Sequence, residues 1–340
     1  MDKKNVIIYS PIRGNGGPTG GLSDRLKGIV FAYSLALIGG KDFRIYWPSW
    51  QTQMPLDPKM PGLILEESEC VNGLSRIDLI DWVLRDHSGD VESIISHAES
   101  LPTSVVNANI LSFEELSARK EILKRRLKIK EWDEPSLFSA VFCTLFSVSE
   151  KVTVSELARS FEEEKKRGAT SIGIQLRCGG WQNWRDPIMD HPRIAKHLYR
   201  AVCQIKKENV LNNVFIYFSS DNERAKRYAE KSLAINHKLL MSRTQESHFE
   251  RSDRKSSGAF LDIHVDQYCL SRCDYIITGR GGFGLVAAYR KGVCPYRYWD
   301  FFKKPFYIDI LERLKRAHEK LKKIFSRLLQ FILKASNGQR

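Results

Sequence analysis

From Thr170 to Gly292 the sequence alternates short runs rich in β-branched and aromatic residues with longer amphipathic ones: SIGIQLR, HPRIAKHLYRAVCQIKK, NVFIYFSS, NERAKRYAEK, HVDQYCLSRC, DYIITG and GFGLVAAYRKG. This alternation constrains the fold more than any other feature. Strands separated by helices cannot pair as hairpins. Their connections cross over, so the strands run parallel and helices cover both faces of the sheet. The pattern predicts a parallel α/β domain over residues 151–305.

The first half has the same style with less regularity. VIIYS reads as a strand and RGNGGPTGG as a loop, and in the helix that follows Leu22, Leu26, Ile29, Val30, Tyr33 and Leu37 recur at spacings of three and four. Such a stripe is expected to bury against a sheet. WPSWQTQMPLDPKMPG (47–62) reads as an extended surface loop. PSLFSAVFCTLF and SELARSFEEEKK read as two helices, the second stopped by Arg167-Gly168. We expect two α/β domains, residues 1–150 and 151–305, with a cleft between them, followed by a helical tail over 306–340.

The chain has 340 residues, 42% hydrophobic and 28% charged, an ordinary composition for a protein that buries sizeable cores. MDKKNVIIYS lacks the apolar stretch of a leader and no run approaches a membrane span, so a cytoplasmic location is expected. The seven cysteines are odd in number, scattered and without a CxxC pair, which fits reduced thiols used in packing.

The net charge of +14 is unevenly distributed. Residues 303–340 hold eleven Lys/Arg and three Asp/Glu, a net of +8, which leaves +6 for the preceding 302 residues. In the tail, Leu314, Ala317, Leu321, Ile324, Phe325, Leu328 and Ile332 share one helical face and Lys/Arg the other. A helix of this kind suits an anionic membrane surface, and the alternative is a helix docked on the protein's own core with a solvated basic face. With the excess concentrated there, nucleic acid is not the expected partner.

Three strand exits in the second half carry polar or glycine-rich loops. Arg177 leaves the first, where its guanidinium can grip a phosphate bidentately at any working pH. Ser219, Ser220 and Asp221 leave the second. ITGRGGFG places Gly281, Gly282 and Phe283 at the start of a helix whose free N–H groups can hold an anion. At one sheet edge the three suggest a diphosphate site. No DxD motif is present, which makes Arg177 and the Gly279 to Gly284 turn the expected electrophilic side, with no metal. In the first half, Gly20, Gly21, Asp24 and Arg25 open a helix at the carboxyl end of a strand. The glycines let backbone pass close to a sugar, and Asp24 is a candidate proton acceptor; the alternative is an ordinary turn with Ser23 or Asp24 as N-cap. His191, His248 and His264 are lesser candidates for the base. Trp47, Trp50, Trp181 and Trp184 could face sugar rings or nucleobases, or fill core.

GGLSDRL, IGIQLRCGG and LSRCDYIITGRGGFGLVAAYRKG, taken in order over residues 14–298, resemble the three motifs of the fucosyltransferase-like glycosyltransferases. The resemblance implies two Rossmann-like domains facing one another in the GT-B arrangement, the donor on the C-terminal domain and the acceptor on the N-terminal one, with no metal or other cofactor. It implies a nucleotide sugar, GDP-fucose above all, as donor and a glycan or lipid-linked saccharide as acceptor. Gln175 and Gly180 stand where many members have a histidine and an acidic residue, which leaves another nucleotide sugar open. A non-catalytic nucleotide- or polyanion-binding protein is the reading from a different class.

Overall fold

The computed structural model describes residues 5–12, 20–65, 71–79, 88–109, 111–178, 191–242, 257–279 and 281–298. The tail over 306–340, Cys70, Gly180, Trp181, Trp184 and His248 lie outside the described residues, as does the side chain of His191.

Two five-stranded parallel sheets organise the chain. The first contains β1 (Val6–Tyr9), β2 (Asp42–Tyr46), β4 (Ile64–Leu65), β5 (Ser75–Leu79) and β6 (Ser104–Ala108), in the order β4-β2-β1-β6-β5. The second contains β8 (Thr170–Leu176), β9 (Val214–Ser220), β10 (Lys238–Met241), β11 (Tyr275–Thr278) and β12 (Tyr296–Arg297), in the order β10-β9-β8-β11-β12. A short antiparallel pair, β3 (Leu56–Pro58) with β7 (Phe146–Val148), accompanies them. The longer helices are α1 (Leu22–Gly39), α2 (Ser88–Ser96), α3 (Lys120–Leu127), α4 (Glu134–Leu145), α5 (Glu156–Lys166), α6 (His191–Glu208), α7 (Glu223–Leu233), α8 (Ser257–Arg272) and α9 (Phe283–Lys291).

Both central strands are buried along their length, as strands covered on two faces should be. In each sheet the connections run one way from the central strand and then reverse, between β1 and β6 in the first and between β8 and β11 in the second. Open α/β sheets form their ligand crevice at such a reversal, outside the carboxyl ends of the strands. The expected strand exits sit there: the loop into α1 follows β1, Arg177 follows β8, and the Gly279 to Gly282 turn follows β11.

Helix α1 is buried on all sides rather than along one stripe, with fourteen of its eighteen residues inside. Gly28 makes this possible, because a Cβ there would stand 1.9 Å from the Ala108 carbonyl oxygen and 2.8 Å from the Tyr9 ring. Its cap is Gly21, with no side-chain cap bond, so neither Ser23 nor Asp24 caps the helix. Segment 47–62 departs from the surface loop expected of it. Trp47, Trp50, Met54 and Leu56 are core residues, Trp50 opens a helical turn over Trp50–Gln53, and Leu56 begins β3. The aromatic and aliphatic content of the segment outweighs its prolines.

One hydrophobic cluster joins the two halves: residues from Ile7 to Phe146 share it with Phe260, Val286 and Tyr289. Polar contacts reinforce the junction. The Tyr289 hydroxyl donates to Glu134 Oε2 at 2.8 Å, Ser139 Oγ to the Arg290 carbonyl at 3.1 Å, and His264 Nε2 to the Gln53 carbonyl at 3.0 Å. Cys178, Cys269 and Cys273 are buried, as packing thiols should be, whereas Cys143, Cys203 and Cys294 are exposed; all six are free. No described helix is long and apolar enough to cross a membrane.

Candidate active site

Two helix N-termini meet at the reversal points. Gly282, the cap of α9, lies against the first turn of α1: a Cβ on it would stand 3.1 Å from Ser23 Cβ and 3.9 Å from Asp24 Oδ1. Free N–H groups at both ends give the place a positive potential, since each helix dipole carries about half a unit charge at that end. Arg177 adds to it. Gly281 has φ +92°, a conformation glycine adopts without strain, and a Cβ there would come 3.2 Å from Arg177 Cδ and 3.6 Å from Nη1. The arginine therefore lies across the glycine turn. Arg297 Nη1 reaches the Gly279 carbonyl of the same turn at 3.5 Å, a second guanidinium that sequence reasoning passed over. Gly284 sets the first turn of α9 hard on the sheet, where a Cβ would meet Thr278 Oγ1 at 2.5 Å.

On the α1 side, Asp24 is partly exposed and its Oδ1 pairs with Lys27 Nζ at 3.0 Å. Gly20, at φ +62°, folds over it, 2.6 Å from a would-be Cβ to Asp24 Oδ2. Arg25 turns inward. It is 6% exposed, donates from Nε to the Gly20 carbonyl at 3.0 Å, and lays its guanidinium 4.9 Å from the centre of the Trp47 ring. Its part is to hold the glycine turn. Trp47 and Trp50 meet edge to face at 5.7 Å inside the core, with Trp47 Nε1 donating to Gln53 Oε1. At the end of β1 the Tyr9 hydroxyl is buried without a hydrogen-bond partner among the described residues. Burial holds its pKa above the ordinary range, with Arg25 opposing and Asp24 adding to the rise.

The residues after β9 are engaged within the second half. Ser219 is buried and donates to Asp266 Oδ2 at 2.8 Å, and the Tyr217 hydroxyl bonds the other oxygen. Burial lifts Asp266 to about 6, against those two donors. Ser220 Oγ accepts the Asn222 N–H at 3.3 Å, and Asp221 Oδ1 accepts the Cys178 N–H at 2.8 Å. The last bond fixes the backbone next to Arg177. Gln175 is turned to Thr278 Oγ1, which donates to it at 3.2 Å, so it braces β8 against β11. Phe283 is partly buried against the core and its carbonyl accepts from Gln267 Nε2 at 2.7 Å. His264 is 3% exposed and held near pKa 3, by burial first and Arg290 second, which makes it a buried neutral brace rather than a base in solution contact.

The structure thus brings together Gly20, Asp24, Arg177, Gly281 and Gly282, and sets Ser219, Trp47 and Trp50 behind them. The fold that carries these residues exists in solved structures. NodZ alpha-1,6-fucosyltransferase soaked with GDP-fucose is similar to this chain with a TM-score of 0.54 at 14% identity, over 86% of this chain and 93% of that one. FUT1 of Arabidopsis thaliana in complex with GDP is similar with a TM-score of 0.58 at 16% identity, over 86% and 70%. NodZ from Bradyrhizobium gives 0.51 at 14%, over 84% and 92%. The chain shares their fold. No family model matches the sequence, and no curated protein is significantly similar to it.

Proposed function

We propose that this chain is an inverting, metal-independent glycosyltransferase that moves fucose from GDP-fucose to a hydroxyl of a glycan or lipid-linked saccharide. In this reading residues 1–150 hold the acceptor and residues 151–305 the donor across a cleft, with residues 306–340 contacting an anionic membrane surface on the cytoplasmic side. One observation carries it: a carboxylate, Asp24, and an arginine-bearing glycine turn, Arg177 with Gly281 and Gly282, converge from two sheets. One similar structure was soaked with GDP-fucose and another is a complex with GDP, which supports the choice of donor.

The chemistry has two demands. The acceptor hydroxyl must lose its proton as its oxygen bonds the anomeric carbon, and the β-phosphate must take the electron pair of the breaking C–O bond. Asp24 accepts the proton. Arg177 and the amides of Gly281, Gly282 and Phe283 at the N-terminus of α9 take the growing charge on the diphosphate, where one well-placed donor is worth about 3 kcal/mol. Attack from the α1 side and departure toward α9 invert the anomeric centre. Ser220 and Asp221 flank the donor, and Ser219 supports them through Asp266. Gly20 and Gly21 let the acceptor sugar approach the backbone, and Arg25 holds their turn.

The experiment is transfer of labelled fucose from GDP-fucose into a mixed saccharide pool, in EDTA and with other nucleotide sugars in parallel. Undiminished transfer in EDTA with GDP-fucose preferred is expected. A metal requirement contradicts the fixed-cation mechanism, another preferred donor changes the sugar, and GDP binding without transfer points to a non-catalytic nucleotide-binding protein.

A further inference from the structure

Residues 119–130 carry Arg119, Lys120, Lys124, Arg125, Arg126, Lys128 and Lys130 against Glu121 alone. Their net charge of +6 equals that of residues 1–302 as a whole, so the remainder of that stretch cancels to zero. Lys120, Arg125, Arg126, Lys128 and Lys130 are exposed. Among the described residues none of the seven forms an ion pair, whereas basic residues elsewhere do, as in Lys165–Asp274 and Lys226–Glu223.

The segment is firmly built. Leu123 is fully buried, and Leu127 and Ile129 pack against the same core. Lys128 ends α3 in the left-handed conformation, φ +56°, and the Ile129 N–H returns to the Lys124 carbonyl at 3.0 Å. Helix and following turn thus carry a cluster of exposed basic side chains on a fixed backbone. It lies far from the candidate active site, because Arg126 Nη2 comes 3.7 Å from a Cβ placed on Gly40, at the carboxyl end of α1, and Asp24 is at the other end. An eighteen-residue helix is about 27 Å long. These cations are therefore outside reach of a donor held at Arg177.

We propose that residues 119–130 dock the protein on the phosphate headgroups of an anionic bilayer. The segment suits phosphate headgroups better than a nucleic acid, whose bases need stacking platforms beside the cations. Its neighbouring aromatics are occupied, with Trp132 stacked on Phe113 at 5.0 Å and bonded through Nε1 to Ser117 Oγ, so bases would find no stacking platform. A plane of phosphates asks only for clustered, unneutralised charge, and each basic residue near such a surface strengthens binding about fivefold. The half-buried Ile122 among the cations adds an apolar contact at headgroup depth. The proposal is independent of the transferase reading and of the C-terminal tail.

The test uses the full chain and flotation with vesicles of phosphatidylcholine alone or mixed with phosphatidylglycerol. A variant combining Lys124→Gln, Arg125→Gln, Arg126→Gln and Lys128→Gln removes four charges from the patch. A control combining Lys196→Gln, Arg224→Gln, Arg227→Gln and Lys231→Gln removes four exposed charges from α6 and α7. The patch variant is expected to lose binding to the anionic vesicles by about six hundredfold, with its melting temperature and GDP affinity unchanged, and the control to lose less than about fivefold. Equal losses in the two variants mean a response to net charge only, and an unchanged patch variant means that another segment binds. Either overturns the proposal, as does a patch variant that loses duplex DNA binding while keeping the vesicles. Should the patch variant have a lowered melting temperature, the paired substitutions Arg125→Gln and Lys128→Gln, both at exposed positions, replace it, with about a twentyfold loss expected.

Discussion

The two helix starts that meet at the site differ in one respect. The first turn of α1 contains an acid, Asp24, with Lys27 beside it, whereas the first turn of α9 contains none and lies under Arg177. The first helix end is partly neutralised by its own anion, and the second has a guanidinium beside it and no acid in its first turn. In the proposed transferase the difference fits the parts: the end without an acid suits the diphosphate, and the acid-bearing end suits the group that must give up a proton. Each start also depends on a glycine pressed against its sheet, Gly28 on the Ala108 carbonyl and Gly284 on the Thr278 hydroxyl.

The largest effect should come from breaking the first start mechanically. Gly28→Ala forces a Cβ to 1.9 Å from the backbone oxygen of Ala108, the last residue of β6, which is paired with β5 and cannot move alone. Overpacking commonly costs about 1–3 kcal/mol and more where backbone must shift, so we expect a loss above about 3 kcal/mol in urea denaturation. Gly284→Ala meets side chains rather than backbone, the Thr278 hydroxyl at 2.5 Å and the Cβ atoms of Thr278 and Gln175 at 2.9 Å, and should cost less, about 1–3 kcal/mol. The reverse order would mean that α9, not α1, is the tighter joint.

Asp24→Asn should next reduce turnover about a hundredfold, the usual scale for a general base, with GDP affinity little changed. The amide is close to isosteric and α1 is capped by Gly21, so the fold is not at stake. Turnover within about threefold of the original would leave Asp24 only the electrostatic part that its place in the first turn already gives it.

The smallest effect is in pH dependence, behind the two turns. His264 has its pKa lowered from 6.5 to about 3 in the folded protein. Over that interval the unfolded chain binds more protons, so stability falls with falling pH, by about 2 kcal/mol between about pH 7 and about pH 5. Asp266, raised from 3.8 to about 6, acts oppositely, because the folded protein then holds the extra proton and gains stability as pH falls. His264→Asn keeps a donor for the Gln53 carbonyl and removes the first contribution. Thermal melts of the variant should therefore rise from about pH 7 to about pH 5 relative to those of the unaltered protein; parallel curves would show that His264 is not shifted by folding.

Much of the second half was legible because its strands are apolar runs separated by helices with clear stops, such as Gly168 at φ +76°. The turn residues Arg177, Gly281 and Gly282 were legible for the same reason, being whatever follows a strand. The short strands β10 and β12 were not, since four and two residues carry too little periodicity. Arg25 and Asp24 look alike in sequence as a charged pair, yet one turns in over Trp47 and the other stays partly exposed. That choice depends on Trp47 being core, which the prolines around it obscure. The contact between Gly282 and Ser23 spans more than 250 residues of chain and is set only when both sheets are packed. The basic patch of α3 is masked in the overall charge by the tail, which holds most of the excess.

Calorimetric titration of Arg177→Ala with GDP and GMP tests whether the start of α9, with Arg177, holds a β-phosphate. The unaltered protein should prefer GDP. The variant should lose about 3 kcal/mol of GDP binding, near the upper range for a charge-assisted pair, while GMP binds as before, and Arg177→Lys should fall between because an ammonium lacks the planar fork. A preference for GDP that survives intact in Arg177→Ala would contradict the account, since the diphosphate would then be held somewhere other than the turn between β11 and α9.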